Sequence, residues 1–316
     1  MKIPVIFAFD DNYALPASIA IQSLLDSKHK NTEYEIIVFH SGLQRKTIKK
    51  MEKICPIRWI KVDRNLLKNV PHGWSGLETY YRLLMADLLP EYDRVLWSDV
   101  DVLFCGDLTN IYKTNITNAE WAGIAAECRD EKTGIHTHFP ENKKPYIYMP
   151  GFMVANTKLW RKKNMLNKFF DTITKYGDKL KMFDLDVLNL SANKIVNLPF
   201  EYCVLENIYD SKKLSDAKEY PWLSHTWSDK ELEHAKKHPV IIHYAGHWPK
   251  IWLRKYNEIP EYYWKYIEQS PFYVREYFFP TPITKIKKFL LRFLKHITPV
   301  KSWRNKIKNN LNKYRW

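Results

Sequence analysis

The chain has 316 residues, 45% of them hydrophobic and 15% aromatic, enough apolar material for one large domain or two modest ones, which argues against disorder. Its formal charge of +15 suggests nucleic acid only until it is located, because residues 281–316 carry eleven Lys/Arg and no Asp or Glu and leave +4 for the first 280 residues. The charge belongs to a tail, and no nucleic-acid partner is expected.

From the N-terminus, the apolar run at 5–9 reads as a buried strand and ends in Asp10-Asp11-Asn12. A helical pattern at 17–25, a strand at 34–39 and a Lys-rich helix at 43–54 follow. Next come a strand at 57–62, a helix at 79–89 and a strand at 94–97. Strands separated by helices of this length predict β-α-β units and a largely parallel sheet, hence an α/β fold. Ligands of such sheets sit beyond the carboxyl ends of strands. Both Asp10-Asp11-Asn12 and Asp99-Val100-Asp101 directly follow one.

The middle of the chain predicts a helix at 159–176, a segment at 183–191, and strands at 195–198 and 240–243. The stretch 128–150, rich in charge, His and Pro, is long enough for a substrate lid or binding loop. After Pro280 and Pro282 the character changes. Ile283, Ile286, Leu290, Phe293, Leu294 and Ile297 recur at three- and four-residue spacing, with Lys285, Lys288, Arg292 and Lys295 on the other side, which describes a basic amphipathic helix. No run of eighteen apolar residues occurs, and the first strand does not end in a small-residue cleavage site, so a cytosolic chain without a signal peptide is expected. Cys55, Cys105, Cys128 and Cys203 form no C-x-x-C pair and read as buried thiols. The sequons at Asn115 and Asn189 carry little weight in such a chain.

Asp99 and Asp101, two residues apart at a strand end, can point the same way, and oxygen ligands in that arrangement suit Mg²⁺ or Mn²⁺ shared with a diphosphate. A solvated turn uses the same letters. His243 ends an apolar strand, where a structural role is the common one. Joined to the two carboxylates, its imidazole favours Mn²⁺ over Mg²⁺.

Six blocks in one order then resemble glycosyltransferase family 8, which includes bacterial lipopolysaccharide glucosyl- and galactosyltransferases and glycogenin. They span roughly residues 3 to 253. In order they are Phe7-Ala8-Phe9-Asp10-Asp11-Asn12-Tyr13, Thr79-Tyr80-Tyr81-Arg82-Leu83, Val95-Leu96-Trp97-Ser98-Asp99-Val100-Asp101, Gly151-Phe152-Met153-Val154-Ala155-Asn156, Asp184-Leu185-Asp186-Val187-Leu188-Asn189 and His243-Tyr244-Ala245-Gly246. The resemblance implies a GT-A type, Rossmann-like catalytic domain over residues 1–265 and a tail over 266–316. It also implies retaining transfer of glucose or galactose from a UDP-sugar to a glycan acceptor, as in lipopolysaccharide or other surface-glycan synthesis.

Residue by residue, the resemblance places Asp10 and Asn12 at the uracil and ribose, and Arg82 near the donor sugar and phosphates. Asp99, Asp101 and His243 match the metal ligands; Glu127 and Asp184 match positions on the donor hexose; Asp186 is the second carboxylate of that motif. Gly151 belongs to the donor-sugar loop, and Gly246 and Lys250 to the loop beside the diphosphate. Three departures stand out: Met149-Pro150-Gly151 where the family has Asn-x-Gly, Asp184-Leu185-Asp186 where it has Asp-Gln-Asp, and Lys250 one residue later than the family's lysine. They keep open a reading from another class, a catalytically inactive protein that binds a sugar nucleotide or glycan. The tail predicts attachment to the anionic inner face of a membrane, where a lipid-linked acceptor is presented.

Overall fold

The computed structural model describes residues 2–71, 76–128, 146–245 and 248–279, with Leu290, Leu291, Leu294 and Trp303. The chain groups into two compact units, Met1–Ala245 and Gly246–Trp316.

The first unit holds a seven-stranded sheet in the order β3-β2-β1-β4-β7-β6-β8. Its strands are β1 (Lys2–Ala8), β2 (Glu33–His40), β3 (Ile57–Lys61), β4 (Val95–Ser98), β6 (Trp121–Cys128), β7 (Tyr146–Ala155) and β8 (Ile195–Asn197). A second sheet, β5-β10-β9, is built from β5 (Val102–Phe104), β9 (Val204–Leu205) and β10 (Ile241–His243). Strands β3, β2, β1 and β4 are mutually parallel, whereas β7 runs antiparallel to both β4 and β6. The expected α/β fold with a mainly parallel, mixed sheet is therefore present.

Helices cover the parallel half for the reason the periodicity gives. Ala14–Ser27 buries Ala17, Ile19, Ala20, Ile21 and Leu24, and β1 is buried from Ile3 to Phe7 because it lies inside the sheet. Burying the larger of these, such as Ile19, Ile21 and Leu24, stabilises by roughly 1.5–3 kcal/mol each. Glu120, fully buried, is paired with Lys163 at 2.6 Å and accepts the Lys194 backbone N–H at 2.8 Å.

Several local expectations are corrected. The segment expected as an α-helix at 79–89 is a 3-10 helix, Leu77–Leu84, that turns α only at Met85–Leu88; Tyr80 to Leu84 are buried consecutively, so the segment is surrounded instead of showing one apolar face. The helix at 159–176 is two, Thr157–Lys162 and Met165–Tyr176, broken at Asn164, whose φ of 51° is left-handed, a conformation Asn tolerates. Of the expected loop at 128–150, Tyr146 to Pro150 are strand β7 and residues 129–145 lie outside the described residues. Cys105 is exposed and Cys55 intermediate, leaving Cys203 as the buried thiol among those described. Asn189 is buried and spans Tyr148, accepting from its N–H and donating to its carbonyl at 2.9 Å each, which closes it to glycosylation.

The second unit contains the helix Glu261–Gln269, whose Trp264 packs edge-on against Tyr256, Tyr273 and Phe278. Leu290, Leu294 and Trp303 are helical and exposed; the rest of the amphipathic stretch lies outside the described residues. Among the described residues, no helix is long and apolar enough to cross a membrane.

Candidate active site

The site is assembled by strand register. Between β4 and β5 the chain leaves the large sheet for the small one, and Asp99-Val100-Asp101 is that crossing. Ser98 pairs with Phe152 in β4·β7, so the next residue of β7 falls beside the crossing and the Asp99 N–H donates to the Gly151 carbonyl at 2.7 Å. In the small sheet His243 pairs with Val102, and the Tyr244 N–H donates to the Asp101 carbonyl at 2.9 Å. Two sheets thus deliver Asp99, Asp101 and His243 to one point. One ligand atom from each lies within 4.8 Å of the others.

The donor set fits a divalent cation, with two carboxylates and an imidazole. His243 Nε2 is 3.3 Å from Asp101 Oδ1 and 4.0 Å from Asp99 Oδ2. Space is kept by Gly151. A Cβ there would stand 2.5 Å from His243 Cε1 and 3.3 Å from Asp99 Oδ2, so any side chain would push into the cluster. Burial disfavours a charged His243, yet the neighbouring Cys203 sulfur and Asp101 carboxylate outweigh it and raise its proton affinity well above the ordinary imidazole range.

Arg82 connects this cluster to a second carboxylate. Its Nη2 donates to Asp99 Oδ1 at 2.7 Å, its Nε lies 3.0 Å from Asp184 Oδ2, and its Nη1 donates to the Pro150 carbonyl. Its guanidinium also lies over the Trp97 ring at 4.9 Å. Asp184 opens the helix Asp184–Ser191 and is fully enclosed, so burial lifts its carboxyl to about 6, against the pull of Arg82 and with the help of Asp99. The residue before it, Phe183, has φ 49° and ψ −115°, a conformation costing about 1–3 kcal/mol for a non-glycine residue. Asp186 holds the approach to this corner: its Oδ2 accepts the backbone N–H groups of Lys181 and Met182, both at 2.8 Å.

Asp10 and Asn12 sit at the carboxyl end of β1, where Asp10 Oδ1 accepts the N–H groups of Asn12 and Tyr13, and Asn12 Nδ2 donates to Asp10 Oδ2 at 2.6 Å. Asp11, between them, instead receives the Thr47 hydroxyl and the Gln44 N–H and ties the end of β1 to the helix Arg45–Met51 that follows β2. Glu127 is in β6, paired through its backbone with Ile147. Lys250 belongs to the second unit, preceding the 3-10 helix Ile251–Leu253, and Gly246 lies outside the described residues. The structure thus brings together Arg82, Asp99, Asp101, Gly151, Asp184 and His243. Sequence reasoning missed Cys203, whose Sγ is 3.2 Å from His243 Nδ1, and Trp97, whose Nε1 donates to Asp99 Oδ1 at 3.2 Å. Nothing in the sequence flags Cys203, forty positions from its partner, whereas Trp97, in β4 two residues before Asp99, is near enough in sequence to suggest the contact.

A family model described as Glycosyl transferase family 8 matches residues 4–256. The chain is similar to General stress protein A of Bacillus subtilis, with 25% identity over 198 residues that cover 58% of this chain and 67% of that one. It is likewise similar to a lipopolysaccharide 1,2-glucosyltransferase of Escherichia coli, 25% identical over 196 residues, 59% of this chain and 57% of that one. It spans only part of the length of these curated relatives. Among solved structures, the galactosyltransferase LgtC in complex with donor and acceptor sugar analogs superposes with a TM-score of 0.68 at 20% identity, covering 85% of this chain and 95% of that one. That likeness shows the GT-A type fold.

Proposed function

The chain belongs to glycosyl transferase family 8, a family of glycosyltransferases, and on that premise we propose that it is a retaining, metal-dependent hexosyltransferase acting on a UDP-sugar. The glucose- and galactose-transferring proteins it resembles support glucose or galactose as the hexose and a surface glycan, such as lipopolysaccharide, as the acceptor. The observation that carries the reading is the meeting of Asp99, Asp101 and His243 beside the Arg82–Asp184 pair at the carboxyl end of β4.

Asp99, Asp101 and His243 would hold Mn²⁺ or Mg²⁺, which would supply Lewis-acid stabilisation of a departing diphosphate. Asp10 and Asn12, at the end of β1, face the nucleoside; Gly246 and Lys250 serve the diphosphate. Arg82 fixes the orientation of both Asp99 and Asp184, and Asp184 with Glu127 orients the hexose hydroxyls. Gly151, at the position of the donor-sugar loop, leaves His243 and Asp99 uncrowded, since a Cβ there would stand 2.5 Å from His243 Cε1. Asp186 supports Asp184 by holding the turn at Lys181 and Met182. The domain carrying this chemistry extends over residues 1–265, and the basic segment 266–316 places it on an anionic inner membrane surface, where a lipid-linked glycan is within reach.

The direct test is a panel of UDP-sugars with Mn²⁺, scored by slow donor hydrolysis and by protection against thermal unfolding. UDP-glucose or UDP-galactose is expected to give both effects. A chain that binds a donor but releases no UDP with any glycan acceptor is instead a sugar-nucleotide-binding protein.

A further inference from the structure

Both ring nitrogens of His243 have close neighbours on opposite sides. Nε2 faces Asp101 and Asp99, while Nδ1 lies 3.2 Å from the sulfur of Cys203. Cys203 is 1% exposed and leads directly into β9, whose parallel register sets Val204 opposite Ile242 and Leu205 opposite His243. The sulfur is therefore placed by the same small sheet that places the imidazole. Gly151 closes the ring in at Cε1, where even one added carbon would stand 2.5 Å away.

A neutral imidazole that offers its Nε2 lone pair to a cation must carry its proton on Nδ1. Ligating histidines ordinarily give that proton to a carboxylate, a backbone carbonyl or water, which fixes the tautomer and the ring plane. We infer that Cys203 takes this place: its sulfur accepts the Nδ1–H of His243, so that Nε2 stays unprotonated and aimed at the space between Asp99 and Asp101. Cys203 is thus a positioning residue acting through His243, and the inference rests on the metal-binding reading of the site. A flipped ring would set a carbon against the sulfur and turn the nitrogen away from the carboxylates. Because sulfur is a weak acceptor, the tie is softer than the usual carboxylate partner. Its loss is expected near the lower end of the roughly 10- to 100-fold range for outer partners of metal ligands.

The test is Mn²⁺ binding to wild type, Cys203→Ala and Cys203→Ser, followed by the electron paramagnetic resonance of free Mn²⁺, with thermal unfolding of the metal-free proteins alongside. Cys203→Ala is expected to bind Mn²⁺ about 10-fold more weakly, and Cys203→Ser, which keeps an acceptor, to recover most of that. Wild-type affinity in Cys203→Ala overturns the inference, as does an equal loss in both variants that merely follows their thermal stability. A second measurement does not depend on any variant. In Mg²⁺-loaded wild type with ¹⁵N-labelled histidine, His243 is expected to carry its proton on Nδ1, and an unprotonated Nδ1 overturns the inference. If wild type binds no Mn²⁺, the metal reading falls together with it; if wild type binds and neither variant differs, the inference falls alone.

Discussion

Arg82 donates to Oδ1 of Asp99 at 2.7 Å, so one oxygen of this carboxylate is committed to the guanidinium while Oδ2 is turned toward His243. The Trp97 indole N–H reaches the same Oδ1 at 3.2 Å and reinforces the split. Asp99 is thus held in one orientation by Arg82 and Trp97, residues outside the candidate metal cluster.

Breaking that arrangement has a defined energetic signature. Arg82 is almost completely buried and faces the equally buried Asp184, so Arg82→Met leaves an uncompensated carboxylate and is expected to destabilise by about 3–5 kcal/mol. The double variant Arg82→Met/Asp184→Asn should recover a large part of this loss. Denaturant unfolding of wild type, Arg82→Met, Asp184→Asn and the double variant measures the coupling, and an additive double variant contradicts it.

Metal dependence is the expectation that the Asp99, Asp101 and His243 cluster raises. EDTA is expected to abolish turnover and Mn²⁺ to restore it. Asp101→Asn should lose activity while keeping its fold, because Asp101 is partly exposed and its removal opens no cavity. Full activity in excess chelator, with unchanged circular dichroism as the control for folding, would remove the assignment.

The pH dependence centres on Asp184. Its carboxyl is raised to about 6 by burial, so in the folded protein it is ionised at neutral pH and takes up a proton as the pH falls through 6. The sign is the reverse of the usual salt-bridged carboxylate. The folded state binds this proton more tightly than the unfolded chain, whose value is about 3.9, so the contribution of this group to stability grows between pH 6 and pH 4. Activity is expected to run the other way, because a protonated Asp184 loses its charge pairing with Arg82 and part of its capacity to accept from the sugar hydroxyls it is proposed to orient. We expect an acid limb near pH 6 in kcat that is absent from Asp184→Asn, itself slow at every pH. An unchanged acid limb in that variant assigns it to another group.

Retention through a covalent intermediate is not expected. Leu185 has no nucleophilic atom, Asp184 is engaged by Arg82, and Asp186 Oδ2 already accepts two backbone N–H groups. Front-face attack, with the leaving phosphate oxygen taking the acceptor's proton, leaves these carboxylates to orient the sugar. Intact-mass spectrometry of wild type incubated with donor alone should show no added hexose. A hexose on Asp184 or Asp186 would establish double displacement.

Truncation at Pro280 removes eleven positive charges and the exposed Leu290, Leu294 and Trp303. Each Lys or Arg near an anionic surface contributes about 1 kcal/mol. The shortened protein should lose binding to phosphatidylserine vesicles and turn over a membrane-embedded acceptor poorly, while hydrolysing soluble UDP-sugar nearly as before. Equal vesicle binding by both forms rules the attachment out.

The sequence by itself determined the parallel half of the large sheet and the position of both acidic clusters. Apolar runs such as 5–9 and 36–39 are set by local chain geometry, and the first of them ends at the charged pair Asp10-Asp11. It also supplied the identity of nearly every residue the structure gathers. Strands β6 and β7 were not legible, because a short run such as Trp121-Ala122-Gly123-Ile124-Ala125-Ala126 has no periodicity that separates strand from buried helix. Tertiary structure alone decided how the pieces meet: that β7 returns antiparallel beside β4 and brings Gly151 to Asp99, and that β10 brings His243 to Asp101 from 142 residues away. The Arg82 link from Asp99 to Asp184 and the Cys203 contact belong to the same class. Such contacts are fixed by sheet register and by the requirement that every buried charge find a partner, and both are properties of the packed chain, invisible to any local window of residues.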